Sequence, residues 1–569
     1  MEYLTFQKSN CKNCHKCIRH CPVKSIRFTG NQAHVIPEEC ILCGKCYVIC
    51  PQNAKRIVDE TEIASVLLGG DAPVYASVAP SFAAYFNGAG IGGVRRALQA
   101  LGFADAEETA LGATVVKRAY ERIAREGASD VVLTSCCHTV NLLVEKYYPE
   151  LSGLLAPVVT PMQAHCADIR RRHPGAKTVF IGPCLSKKDE ANVSDVDAAL
   201  TFEELAAMLD KAGVPRPAAG KGESEGEKEP DDAGDESLAR IFPTDGGILK
   251  TMLERNPAYT YLSVCGVENC MAVLDDIRAG GVHRCFIEMS ACAGSCVGGP
   301  IMEKHHCSPL RDYQAVASYA GSKDFAVPQP APEALAAGHA PIELTRAMPG
   351  QAEIEEILHK MGKLSPEDEL NCGTCGYNTC REKAVAVYQG KAEITMCLPY
   401  LMEKTERFTD NILDNTPNGI LVVNEAFEVQ QINQAAMRML RVRSRGDVMG
   451  GPLIRLLDPT DFIRALDSGT SIVNKRDYYA ELASYLELTI VHDKKSGNLI
   501  GLFRDVTAEE NAHKSREALC RQTVETADQV VDKQMRIVQQ IASLLGESAA
   551  ETKIALTKLK ESITDENDQ

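Results

Sequence analysis

The sequence predicts a multidomain chain of α/β and α+β units, and three observations carry that prediction. The chain has 569 residues, more than one ordinary core holds. Its 23 cysteines fall mostly in tight groups, which suits small ligand-bearing units set between larger ones. Residues 72–320 alternate β-like runs ("APVYASVAP", "DVVLTSCC", "KTVFIGPC", "RCFIEMSAC") with helix-like segments ("GGVRRALQALGF", "TVVKRAYERIAREG", "TFEELAAMLDKAG"). That alternation is the pattern of α/β layers. Hydrophobic content of 45% and charged content of 24% are those of a soluble protein. No apolar stretch is long enough to span a bilayer, and "MEYLTFQKSNCKNC" lacks a signal-peptide pattern. The expectation is a cytoplasmic protein. A net charge of −16 argues against nucleic acid as a partner. In a reducing compartment, clustered cysteines read as metal ligands or catalytic thiols rather than disulfides.

The first unit spans residues 1–60. Residues 11–22, "CKNCHKCIRHCP", and 40–51, "CILCGKCYVICP", repeat C-x2-C-x2-C-x3-C-P. This is the spacing of a bacterial two-cluster ferredoxin, in which the fourth cysteine of each run crosses to the other cluster. Cys11, Cys14, Cys17 and Cys50 are therefore assigned to one 4Fe–4S cluster, and Cys40, Cys43, Cys46 and Cys21 to the other. Such a pair moves electrons and carries no substrate chemistry alone. Zinc is the alternative.

The second unit spans 61–322. It contains a cysteine doublet, Cys136–Cys137, at the end of an apolar run. A disulfide between neighbours is sterically awkward, so one thiol could bind metal while the other stays free. Three β-like runs end in cysteine, and sites in α/β folds gather at the C-terminal ends of strands. Cys137, Cys184, Cys292 and Cys296 could then converge.

At these residues the chain resembles the catalytic domain of the iron-only, or FeFe, hydrogenases. "TSCC" at 134–137, "GPCLSKK" at 182–188 and "SACAGSCVGGP" at 290–300 resemble the family's three motifs. "APSF" at 79–82, "TFEELAAML" at 201–209 and "FPTDGGILK" at 242–250 follow in the family's order. The resemblance implies an H-cluster: a 4Fe–4S cubane joined through a cysteine sulfur to a two-iron unit bearing CO and CN. Carried over by motif, Cys137, Cys184, Cys292 and Cys296 bind the cubane, and Cys296 also bridges to the two-iron unit. Lys187 would donate to a cyanide, and Ala79, Pro80 and Ser81 would line the cyanide pocket. Cys136 would be the free thiol that passes a proton, a task suited to a tunable thiol. The alternative is a plain cubane on the four cysteines.

Several departures separate this chain from efficient family members. Ala119 and Tyr120 stand about where an acidic pair is usual, which puts the proton path to Cys136 in doubt. His138 follows the doublet in place of proline, Gly182 replaces a methionine, and Met162 stands where a glutamine is usual. The spacing before Cys292 is one residue longer, placing Ser290 or Ala291 near another methionine's place. These changes resemble the sensory branch of the family. Cys166, Cys265, Cys270, Cys285 and Cys307 read as unliganded thiols. The acidic insertion at about 218–237 reads as disordered.

Residues 323–350, Pro/Ala-rich, read as a linker. Residues 351–405 hold Cys372, Cys375, Cys380 and Cys397 in "CGTCGYNTCREKA" and "TMCLP". They resemble a small 4Fe–4S domain, with zinc as the alternative. Residues 406–508 open "ILDNTPNGILVVNEAFEVQQINQAAMRML" and close "IGLFRDVT", resembling a PAS domain. His492 is its one haem-ligand candidate and reads as an ordinary histidine. Residues 509–569 form a helical tail. Val524, Val531, Val538 and Leu545 recur every seven residues, with Ala527, Gln534 and Ile541 in the other seam. That pattern suits a short coiled coil in a homodimer or a helix packed on the PAS unit.

The complete expectation is three 4Fe–4S clusters plus an H-cluster in a sensory FeFe hydrogenase. It would react with H2 and protons, pass electrons to a ferredoxin-type partner, and signal to a phosphatase or kinase acting in trans. A ferredoxin-linked catalytic hydrogenase, and an iron–sulfur redox sensor without hydrogen chemistry, are the alternatives.

Overall fold

A computed structural model describes residues 3–7, 10–218, 237–305 and 308–565. Cys307 and nearly all of the acidic insertion lie outside the described residues. The chain divides into two compact units, Met1–Leu401 and Met402–Gln569.

The first unit opens with a small ferredoxin-like fold. Strand β1 (Leu4–Phe6), the hairpin β2 (Ile26–Thr29) and β3 (Gln32–Val35), and β4 (Lys55–Ile57) frame the two cysteine runs. β1 pairs antiparallel with β4, Leu4 opposite Ile57. The hairpin turns on Gly30 and Asn31, both at positive φ, the conformation that a tight primed turn demands.

The hydrogenase-like part carries two parallel sheets. One contains β5 (Val74–Val78), β6 (Asp105–Glu108), β8 (Lys177–Gly182) and β9 (Ala198–Thr201), in the order β6-β5-β8-β9. The other contains β7 (Val131–Leu133), β10 (Thr260–Cys265) and β11 (Cys285–Ser290), in the order β10-β11-β7. All of these pairings are parallel, so helices must return the chain after each strand. Threonines start two of those helices: Thr160 with Gln163 and Thr201 with Glu204 each form a capping box. β7 and β11 are buried at every position, as strands covered on both faces should be.

Residues 325–343 lack helix or strand apart from one short turn, Pro332–Leu335. They are nevertheless strapped to the domain. The Val159 N–H donates to the Leu335 carbonyl and the Ile342 N–H to that of Glu145. Arg118 donates to the carbonyls of Phe325 and Val327. Beyond this strap, helices Gln351–Lys360 and Cys380–Tyr388 hold the third cysteine group.

The second unit is a five-stranded antiparallel sheet followed by a long helix. β12 (Gly419–Asn424), β13 (Val429–Ile432), β14 (Ile472–Tyr479), β15 (Ser484–Asp493) and β16 (Asn498–Asp505) lie in the order β13-β12-β16-β15-β14. Alternation along β12 and β15 puts Leu421, Val423, Leu486, Leu488 and Ile490 into one core. His492 stands on β15, and neither ring nitrogen has a hydrogen-bond partner. The tail is a single helix, Thr507–Asp565, about 90 Å long at 1.5 Å per residue. Residues 511–560 are exposed throughout, although Lys514 reaches back to the Tyr485 hydroxyl and ring of β15.

Candidate active site and cysteine clusters

Four parallel strands end at one place. Ala79, Pro80 and Ser81 follow β5, the doublet Cys136–Cys137 follows β7, Cys184 follows β8, and Cys292 follows β11. Cys296 lies in the short turn Ser295–Gly298. Parallel strands leave their C-terminal loops on one side, and that is where ligands bind in α/β sheets. Glycine makes the last loop possible: a Cβ on Gly298 would fall 1.8 Å from the Ala293 carbonyl oxygen.

Ala79, Pro80, Ser81, Cys136, Cys137, Cys184, Lys187 and Cys296 all line one cavity of about 120 Å³. Cys292 stands just behind it. Burial pushes its thiol well up, and the neighbouring sulfurs of Cys184, Cys137 and Cys296 push it further. Burial likewise raises Cys296 to about 12, with Cys184 and Cys137 adding to the effect. Cys137, Cys292 and Cys296, raised by burial and by neighbouring sulfurs, are costly as bare thiolates. A cationic iron core would offset that cost, so the donor set fits a cubane.

Two further features fit a bound group. The Ser81 hydroxyl is fully buried on the cavity wall and has no hydrogen-bond partner, and such a buried hydroxyl calls for an acceptor or donor. Lys187 also reaches the wall. Burial alone would lower its ammonium, but Glu190 outweighs burial and holds it above the ordinary value. Its Nζ also donates to the Cys136 carbonyl at 3.4 Å.

Cys136 is placed differently from its neighbour. The Tyr120 hydroxyl lies 3.1 Å from its sulfur, 3.2 Å from the Ser135 hydroxyl, and accepts from the Ser135 N–H at 3.0 Å. Burial raises the Cys136 thiol to about 12, and the Glu288 carboxyl contributes. Glu288 sits inside β11, 1% exposed, with one carboxyl oxygen bonded by the Leu249 N–H and the other unpartnered. Burial lifts its pKa to about 7. Sequence reasoning passed over this residue, although a lone glutamate in the apolar run "CFIEMS" was a visible anomaly. Ala119 is buried on the same helix as Tyr120. His138 lines the cavity and bonds Asp189 at 2.8 Å. Met162 and Ser290 also line it.

Twelve further cysteines fall into three groups of four. Burial raises Cys17 to about 11, with Cys11, Cys14 and Cys50 close enough to raise it further. Burial raises Cys46 in the same way, helped by Cys40, Cys43 and Cys21. Backbone N–H groups already point at sulfur in both sets: Leu42 donates to Cys40 and Ala54 to Cys50, each at 3.3 Å. Burial raises Cys375 too, with Cys397 and Cys372 adding, while Cys380 opens its helix with its N–H bonded to Asn371. Among the described residues, no group of three or more His, Cys, Asp or Glu side chains closes on a single ion. A cubane asks for something else, since its thiolates bind separate irons. Cys166, Cys270 and Cys285 are buried, and Cys265 is half-buried.

Comparisons with known proteins agree with this layout. Residues 72–300 match the family model of the iron-only hydrogenase large subunit, C-terminal domain. Residues 3–51 match a 4Fe–4S dicluster domain, 368–399 an Fe–S cluster family and 407–474 a PAS domain. The chain is 27% identical to the periplasmic Fe hydrogenase large subunit of Nitratidesulfovibrio vulgaris, over 53% of this chain and 87% of that one. It is 24% identical to iron hydrogenase 1 of Clostridium pasteurianum over 52% of this chain, spanning 64% of that relative's length. A solved FeFe-hydrogenase from Chlamydomonas reinhardtii aligns with 50% of this chain and 100% of its own, at 15% identity and a TM-score of 0.39.

Proposed function

From a chain that joins a hydrogenase-like domain to ferredoxin-like, Fe–S and PAS domains, we propose a sensory FeFe hydrogenase. It reacts reversibly with hydrogen, H2 giving two protons and two electrons. The electrons pass through the cysteine-held clusters, and the PAS domain relays the result to a partner acting in trans. The observation that carries this reading is the convergence of Cys137, Cys184, Cys296, the free Cys136, Lys187 and the unpartnered Ser81 hydroxyl on one cavity, with Cys292 beside it.

Cys137, Cys184, Cys292 and Cys296 would hold the H-cluster, which when bound supplies the open iron site for hydrogen. The surrounding residues manage position and protons. Ser81 and Lys187, both on the cavity wall, would offer hydrogen-bond donors to the cyanides of the bound group. Cys136 holds or moves the proton at its sulfur. Tyr120 steers that sulfur, and Glu288 is the nearby buried carboxyl able to exchange a proton near neutrality. The usual acidic relay upstream of the doublet is absent, so this slower arrangement suits sensing more than turnover.

Infrared spectra test the reading. The protein is matured anaerobically with a synthetic two-iron precursor and compared with and without hydrogen. Bands of iron-bound CO and CN that shift under hydrogen are expected. Their absence in a protein shown to hold its cubanes would favour an iron–sulfur sensor without hydrogen chemistry. Cys137→Ala, Cys184→Ala and Cys296→Ala should each abolish the bands.

A further inference from the structure

The Cys21/Cys40/Cys43/Cys46 loops are gripped from two sides. On one side stands the catalytic part. Lys146 donates to the Cys40 carbonyl at 2.7 Å, and Gly44, next to Cys43, lies against Pro300 so closely that a Cβ would fall 2.7 Å from that ring. On the other side stands the segment bearing Cys372–Cys397. Arg19 donates to the carbonyls of Gly373 and Thr374 at 3.3 and 3.2 Å, and Lys24 to that of Gly376 at 3.0 Å. Gly376, at φ +95°, rests on Ile18, where a Cβ would come within 3.0 Å. Lys391 pairs with Glu39 at 2.6 Å. Lys24 Nζ also lies 5.9 Å from the centre of the Tyr377 ring. In the Cys11/Cys14/Cys17/Cys50 group, Cys14 is exposed.

We propose that the cluster held by Cys21, Cys40, Cys43 and Cys46 is a three-way electron junction. This rests on the cluster assignments above. It exchanges single electrons with the active centre, with the Cys372–Cys397 cluster, and with the solvent-facing Cys11–Cys50 cluster. Oxidation of one H2 releases two protons and two electrons, which leave in two one-electron steps and reduce two oxidised clusters. An outside one-electron carrier gives or takes electrons at the exposed cluster. The charge on the Cys372–Cys397 cluster therefore reports a pool shared by hydrogen and that carrier, not hydrogen alone. Ile18, Arg19, Lys24 and Gly376 are positioning residues for the branch.

Electron paramagnetic resonance of the full chain tests this. In protein carrying only its cubanes and reduced with dithionite, the C-terminal cluster's signal, assigned by its loss in Cys372→Ser, should be split by the Cys21-side cluster. Gly376→Val should erase the splitting with iron content unchanged, and Arg19→Ala, which leaves the buried seam intact, should weaken it. In matured protein under hydrogen, adding oxidised methyl viologen should lower the reduced fraction of the C-terminal cluster. Unsplit signals in the native chain, coupling to the Cys11-side cluster instead, splitting untouched by both variants, or no response to viologen would each overturn the junction. Splitting with dithionite but no reduction by hydrogen would sink the hydrogenase reading and leave the wiring standing.

Discussion

At Cys136, one sulfur sits between a tyrosine hydroxyl and a buried glutamate. Cys136→Ala should cut hydrogen-dependent dye reduction about 10²–10⁴-fold, the usual worth of a general acid or base, while the CO and CN bands persist. Equal rates in both proteins would remove Cys136 from the proton route. Glu288 can be followed directly. The unfolded chain releases this proton from its ordinary value of 4.5 upward, whereas the folded chain keeps it to about 7. Stability from the protonated carboxyl is thus complete below about 4.5 and falls as pH rises through about 7, by about 3 kcal/mol in all. A protonated-carboxyl infrared band half-lost near pH 7, and missing in Glu288→Gln, is the expected result. A band already gone at pH 5 would refute it. At this scale the sequence exposed the candidate cysteines because cluster-binding motifs keep fixed spacings. It did not expose Glu288, whose proximity to Cys136 depends on β11 lying beside β7, a pairing of residues about 150 apart in the chain. Tyr120 read as the loss of a carboxylate, and only its contacts give its hydroxyl a task.

Elements differ in how openly the sequence announces them. Apolar residues alternate along β12 and β15, where one face of the sheet is buried, and Thr160 and Thr201 cap two helices. The strap at 325–343 read as a bare linker, since its hold on the domain comes through backbone carbonyls and Arg118, which leave no periodic trace. The long terminal helix was legible from its heptads, and its solvent exposure carries a consequence. Val524, Val531, Val538 and Leu545 are each more than half exposed, an apolar seam that a second helix would cover. We expect sedimentation velocity to show a dimer, and Val531→Asp with Val538→Asp to return a monomer with an unchanged PAS fold. A native monomer at micromolar concentration would assign the seam to another partner.

At the scale of the whole molecule, the candidate ligands and the PAS sheet belong to different compact units. All the candidate ligands lie in Met1–Leu401, while the PAS sheet and its helix lie in Met402–Gln569. The catalytic alternative does not require those units to communicate: such a hydrogenase needs only electron exit, and any influence of the PAS sheet would run toward the active site. Sensing requires that the redox state of the first unit bias the second, which means a free-energy difference between two states of the PAS unit. Hydrogen exchange reads that difference without knowledge of the partner. In matured protein, hydrogen in place of argon should change amide protection in β12–β16 or in the first turns of the helix that starts at Thr507. The change should vanish in Cys372→Ser, which interrupts the path, and in Cys296→Ala, which removes the source. Hydrogen turnover with no change of protection in the second unit would leave the catalytic hydrogenase as the better description, because a signal that alters no population in the PAS unit has nothing to transmit.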